Sequence, residues 1–106
     1  MAFSCVFVER AITDLQNILD YISVNLSNPQ AAKLFYEKIN EAIELICDFP
    51  YSHQVYQSSF VHSENIRIAN VDNYSMFYEI DEQNKSVAIL RIIYSKRNLE
   101  ELLKSI

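Results

Sequence analysis

Residues 73–103, NYSMFYEI DEQNK SVAILRIIY SKRNLEELL, decide how the rest of the chain reads. Tyr74, Met76, Tyr78 and Ile80 alternate with Ser75, Phe77 and Glu79, the two-residue period of a strand. Residues 81–85 are polar and turn the chain. The next run sets Ala88, Leu90, Ile92 and Tyr94 against Val87, Ile89, Arg91 and Ile93, so this strand is apolar on both faces. Two faces need two covers. Lys96 and Arg97 then lead into a short closing helix that Asn98 can cap, with Leu99, Leu102 and Leu103 inward and Glu100 and Glu101 in the first turn.

Working upstream, residues 64–71 (ENIRIANV) alternate as a third strand and complete an antiparallel meander. Residues 51–63 have no clean period and read as a loop with a turn of strand near Val55; His53 and His62 fall in it without an Asp, Ser or Cys at a catalytic spacing. Before Pro50 the period becomes helical. Ala32, Phe35, Ile39, Ala42, Ile43 and Ile46 line one helix, and Ile12, Leu15, Leu19, Ile22 and Leu26 line another, with Asp14 outward or flanking. The joint Ser27-Asn28-Pro29 caps the second helix and predicts an antiparallel helical hairpin. Residues 2–8 (AFSCVFV) read as an opening strand that pairs along an edge of the meander. The order is β-α-α-β-β-β-α, an α+β fold with the hairpin packed on one face of a small, mostly antiparallel sheet.

The chain has 106 residues, half of them apolar, which suits one domain over residues 1–106 with one core. No run is long and apolar enough to span a membrane, and the first ten residues lack the pattern of a signal peptide, so the expected place is the cytoplasm. Cys5 and Cys47 have neither Cys-x-x-Cys spacing nor a nearby pair of histidines; they read as buried free thiols, and no metal or cofactor is expected. Glycine is absent, so Asn25, Asn28, Asp72, Asn73 and Asn84 are expected to make the turns that need a positive φ. The net charge of −5 argues against binding nucleic acid through phosphates alone, and no sequence-specific DNA binding by the chain itself is expected. Acids outnumber bases seven to three in residues 1–50 but only seven to six in residues 51–106, which leaves a basic end around Arg91, Lys96 and Arg97 on an acidic body.

Arg91 interrupts an apolar strand. Its guanidinium must reach the rim, meet a carboxylate such as Glu79 on the neighbouring strand, or await a partner's carboxylate. Arg67 is placed on a strand across the same sheet, and Lys96 and Arg97 at a corner that suits an acidic or phosphate-bearing partner. No glycine-rich loop, metalloprotease motif, serine triad or carboxylate pair is present. The residues alone describe a binding domain.

The segments ERAITDLQNILDYI, NPQAAKLFYEKINEAIELICDFP, IRIANVDNYSMFYEIDEQNKSVAILRIIYSKRN and LEELL, taken in order, resemble the RelE/ParE superfamily of bacterial toxins from type II toxin–antitoxin modules, over nearly the whole chain. The resemblance implies growth inhibition in one of two ways: RelE-like members cut messenger RNA in the ribosomal A site with basic and tyrosine or histidine side chains, and ParE-like members poison DNA gyrase. It also implies a cognate antitoxin whose C-terminal segment wraps the helices and sheet. In the RelE-like pattern an arginine follows the pair that opens the second meander strand. Here Ser75 follows Asn73-Tyr74. Arg97 matches the arginine after the last strand, and the tyrosine of the closing helix falls on Leu103, with Tyr94 a substitute better suited to packing. A nuclease would therefore rest on Arg97, Lys96 and Arg67. The ParE-like reading is the expectation, with the RelE-like nuclease and a non-toxic binding protein as alternatives. The expected partner-binding residues are Arg67, Arg91, Tyr94, Lys96 and Arg97.

Overall fold

The computed structural model describes residues 3–57 and 65–97. Strand β1 (Ser4–Phe7) leads into helix α1 (Glu9–Asp20), which continues as a π-helical turn over Tyr21–Asn25. Helix α2 (Pro29–Asp48) and a 3₁₀ turn (Pro50–Ser52) follow, then β2 (Gln54–Val55), β3 (Ile66–Val71), β4 (Tyr74–Asp81) and β5 (Ser86–Tyr94). The sheet order is β1-β5-β4-β3-β2, antiparallel except where β1 runs parallel to β5 at one edge. This is the anticipated α+β architecture, with the turn of strand near Val55 paired into the sheet as β2, and the expected closing helix, with Leu103, lies outside the described residues.

The hairpin forms where the sequence stops and restarts. The Asn28 side chain accepts the Ala31 N–H at 3.1 Å and Pro29 takes the first helical position. On α2 the expected stripe is buried: Ala32, Phe35, Ile39 and Ile46 face the sheet. On α1 the stripe is turned by about one position. Ala11 and Ile18 are buried with Leu15, Leu19 and Ile22 beside them, whereas Ile12 and Leu26 are exposed. The turn of the stripe brings Asp14 alongside β5, and the wider π turn, closed by Leu26 N–H on the Tyr21 carbonyl at 3.0 Å, rotates the end of the helix again.

The long strand also departs from unbroken alternation. Tyr78 pairs with Ile89 but Phe77 pairs with Arg91, so Leu90 is an extra residue, a β-bulge. Beyond it the faces exchange. Val87, Ile89 and Ile92 therefore lie together in the core under the helices, where an even period separates Ile92 from the other two. Phe77 is fully buried in a second cluster with Ile66 and Ile93, and Tyr56 meets Phe77 edge-on at 5.0 Å. Both faces of the sheet are thus covered at these positions, as the apolar strand requires.

Without glycine, positive φ falls on Ser27 (50°), Asp72 (52°) and Lys85 (50°). Of the expected residues only Asp72 is among them. Asn84 instead spends its side chain on Asp81, donating to one carboxylate oxygen at 2.7 Å, and Asn28 spends its own on the helix cap.

The two cysteines are not free. Cys5 and Cys47 are joined as a disulfide with Cα atoms 6.1 Å apart. Parallel pairing of β1 with β5 lays β1 under the last turn of α2, where the Phe3 N–H bonds the Cys47 carbonyl at 3.1 Å. A juxtaposition across 42 residues leaves no trace in local spacing.

Candidate functional site

β1 covers β5 only as far as Ile89, so among the described residues the outer edge of β5 beyond the bulge has no strand partner. Asp14 takes that place. Its carboxylate accepts the Ile92 N–H at 3.0 Å and two nitrogens of Arg91, Nε at 2.7 Å and Nη2 at 3.2 Å. The side chains of Arg91 and Asp14 are only 10% and 15% exposed, a charge pair largely removed from water. Arg91 thus finds its carboxylate on α1 and not at Glu79, which stands opposite Ala88 and points outward. With the stripe on Ala11, Leu15 and Ile18, Asp14 flanks the buried face, and an acid there needs a cation.

Next to this pair opens a groove of about 870 Å³ between α1, the π turn, the start of α2 and the ends of β4 and β5. Ile18, Ile22, Phe35 and Ile92 line its apolar part. Tyr21, Tyr74, Tyr94 and Arg97 supply polar atoms, beside Asn17, Asn73 and two carboxylates that are already paired, Asp14 with Arg91 and Asp72 with Lys38. Tyr74 is held edge-on to Tyr94 at 5.6 Å and packs on Phe35 at 5.1 Å. Burial, and then the neighbouring Tyr21 and Tyr94, push the Tyr74 hydroxyl above the usual tyrosine pKa, against the opposing effect of Arg97, so at neutral pH it is a proton-bearing donor and no base. Among the described residues no carboxylate pairs with Arg97. Its backbone N–H bonds the Tyr94 carbonyl at 3.0 Å and the Ser95 N–H bonds Asn73 at 2.8 Å, which fixes the corner after β5. Hydroxyl and guanidinium donors around an apolar floor suit an acidic, amphipathic segment.

The remaining sequence candidates divide. Arg91, Tyr94 and Arg97 line the groove; Lys96 is exposed in the same corner but does not line it. Arg67 does not join them. Its Nη1 donates to the Tyr51 carbonyl at 3.1 Å and the His53 carbonyl at 2.7 Å, and the guanidinium lies 5.1 Å from the centre of the Tyr51 ring. In register it stands opposite Tyr78, whereas Tyr94 stands opposite Tyr74, four residues along the same strand or ~13 Å by strand rise. Ser75 is buried and donates to Asn70 Oδ1 at 2.9 Å, with Ser95 Oγ 2.8 Å away. His53 abuts Tyr78 edge-on and Ser52 bonds its Nδ1. Tyr21 and Tyr74 join the groove only through the π turn and the sheet register; the residue alternation marks Tyr74 as inward but says nothing of Tyr21. Among the described residues no group of three histidine, cysteine or acidic side chains could hold a metal ion, and no helix is long and apolar enough to cross a membrane.

No curated protein sequence matches the chain. Among solved structures it is similar to a chain of the chromosomal ParDE toxin–antitoxin system of P. aeruginosa, with 21% identity, a TM-score of 0.71, and 90% of this chain and 98% of that one covered. It is also similar to a chain of the archaeal RelE–RelB complex of Pyrococcus horikoshii, at 16% identity, a TM-score of 0.61 and coverage of 92% and 99%. A chain of the intact E. coli RelBE complex aligns at 11% identity, a TM-score of 0.59 and coverage of 91% and 100%. At such identities these likenesses speak for the fold. The family is given by the sequence: residues 6–99 match the model described as "ParE toxin of type II toxin-antitoxin system, parDE", so the chain belongs to the ParE toxin family of type II toxin–antitoxin systems, within the RelE/ParE fold.

Proposed function

We propose that the protein inhibits growth in the ParE manner, by contact with DNA gyrase in the cytoplasm, and that a cognate antitoxin neutralises it by seating an acidic, amphipathic segment in the tyrosine-lined groove. The observation that carries this reading is the position of Arg67. A nuclease of the RelE kind needs cationic groups gathered around one phosphate and one ribose hydroxyl. Here Arg67 is committed to backbone carbonyls of residues 51 and 53, and the position where that pattern has an arginine holds the buried Ser75. The net charge of −5 adds to this, since ribosomal RNA, uniformly negative, repels an acidic body.

Induced expression in a bacterial host, scored for growth, bulk translation and an SOS reporter, tests the reading. SOS induction with translation intact is expected. Arrested translation with A-site cleavage of messenger would replace it by ribosome-dependent nuclease activity and make Arg97, Lys96 and Arg67 its catalytic candidates; undisturbed growth would leave a toxin-fold binding protein. For the antitoxin, Arg97→Ala should weaken the complex by about 1 to 3 kcal/mol, because Arg97 lines the groove and no carboxylate among the described residues pairs with it. Calorimetric titration of the cognate peptide measures it, and an unchanged affinity would move the interface elsewhere.

A further inference from the structure

We infer that Cys5 and Cys47 form a redox site, a dithiol–disulfide couple that sets how firmly the helical hairpin is held to the sheet, whatever the toxin's target. The chain has two cysteines and they meet each other, so no third thiol competes for either. The bridge spans 42 residues and encloses α1, the π turn and nearly all of α2, one whole wall of the groove. It joins that wall to β1, a four-residue edge strand in which Ser4 and Val6 are exposed. Hydrogen bonding already seats the strand under the helix through Phe3 N–H and the Cys47 carbonyl at 3.1 Å, so the two sulfurs stay neighbours when reduced and the bond can reform. Small apolar thiols are at home in such a site. Reduction therefore loosens the fold and leaves it in place.

Access orders the chemistry. Cys47 is 2% exposed in the last turn of α2, and Cys5 is half-buried on the edge strand. With glutathione disulfide as oxidant, the Cys5 thiolate attacks one glutathione sulfur, forming a mixed disulfide and releasing one glutathione thiolate. The Cys47 thiolate then attacks the Cys5 sulfur and expels the second glutathione. Two S–H bonds give one S–S bond, two electrons pass to the oxidant, and the two thiol protons end on the departing thiolates, which leave as two glutathiones.

The test uses the purified full chain, equilibrated with glutathione disulfide or dithiothreitol, quenched with N-ethylmaleimide in denaturant and weighed by mass spectrometry. The oxidised chain should take up no alkylating agent and the reduced chain two equivalents. Its thermal midpoint should be higher oxidised than reduced by roughly 10 to 20 °C, from the loop that the bridge closes. Cys47→Ser should accumulate one glutathione on Cys5, and Cys5→Ser none. Two alkylated thiols after oxidation of the wild-type chain overturn the proposal without recourse to any variant. So does a redox-dependent midpoint of the same size in Cys5→Ala/Cys47→Ala. Glutathione accumulating on Cys5→Ser overturns the order of attack.

Discussion

The two ends of the sheet each hold an arginine, buried at one and half-buried at the other, and neutralise it differently. At the groove end Arg91 meets a carboxylate, Asp14, through two nitrogens, and the same carboxylate takes a strand N–H. At the far end Arg67 meets dipoles: the turn at residues 50–53 aims the Tyr51 and His53 carbonyls at it, the Tyr51 ring lies alongside, and its Nε has no hydrogen-bond partner among the described residues. The same turn offers the Pro50 carbonyl to the Tyr78 hydroxyl at 2.6 Å. A full counter-charge satisfies a guanidinium but makes the site brittle, because removing either partner strands the other. Two carbonyls share the load and fail singly.

The largest expected effect lies at the brittle end. Asp14→Ala should cost about 3 to 5 kcal/mol in urea unfolding, since it takes the carboxylate away from a guanidinium that is 10% exposed. The double variant Asp14→Leu/Arg91→Met should recover most of that. If Asp14→Ala lost less than about 1 kcal/mol, the contrast between the two ends would be gone.

At the far end Tyr78→Phe should cost about 1 to 2 kcal/mol, by leaving the buried Pro50 carbonyl unpaired. Its pH profile sharpens the point. Burial pushes the Tyr78 hydroxyl up to about 12, against the opposing charge of Arg67. The unfolded chain ionises near pH 10 and the folded chain near 12, so the folded state holds the proton longer. That part of the stability is complete below pH 10 and is lost as pH rises towards 12. Tyr78→Phe should flatten the alkaline limb of the unfolding curve, and an unchanged limb would assign it to another tyrosine.

Arg67→Lys should be milder, about 1 kcal/mol by urea unfolding, because an ammonium can still reach one carbonyl though it loses the planar contact with Tyr51. A loss as large as that of Asp14→Ala would show that the carbonyls do not share the load.

The smallest effect belongs to the surface pair Lys38–Asp72, 3.0 Å apart with both side chains about half exposed. Lys38→Ala should change stability by less than about 0.5 kcal/mol and by even less in high salt.

Features that rest on local period were legible from the sequence. The meander, the hairpin and the Asn28-Pro29 restart follow from spacing and capping chemistry over a few residues. Features set by how distant segments register were not. The bulge at Leu90 is fixed by the count of residues on β4 against β5, so alternation within β5 alone puts Ile92 on the wrong face. Asp14 was hidden by a stripe offset by one position, since Ile12 and Ala11 are equally plausible inward residues until the helix is laid against the sheet. Cys5 and Cys47 meet only because β1 runs parallel to β5. The groove partly followed: Tyr94 and Arg97 were legible from the end of a strand and a corner, but Tyr21 depends on a π turn that no residue preference announced.

The single carboxylate of Asp14 also has a colloidal consequence. Past Ile89 the rim of β5 is a row of backbone donors and acceptors with no strand from the described residues beside it, the kind of template on which sheets of different molecules join. By holding the Ile92 N–H and setting a charge beside it, Asp14 makes any incoming strand displace an ion pair before it can add. An Asp14 variant should therefore cloud or oligomerise with rising protein concentration even where its fold survives, a behaviour that light scattering separates from simple loss of stability.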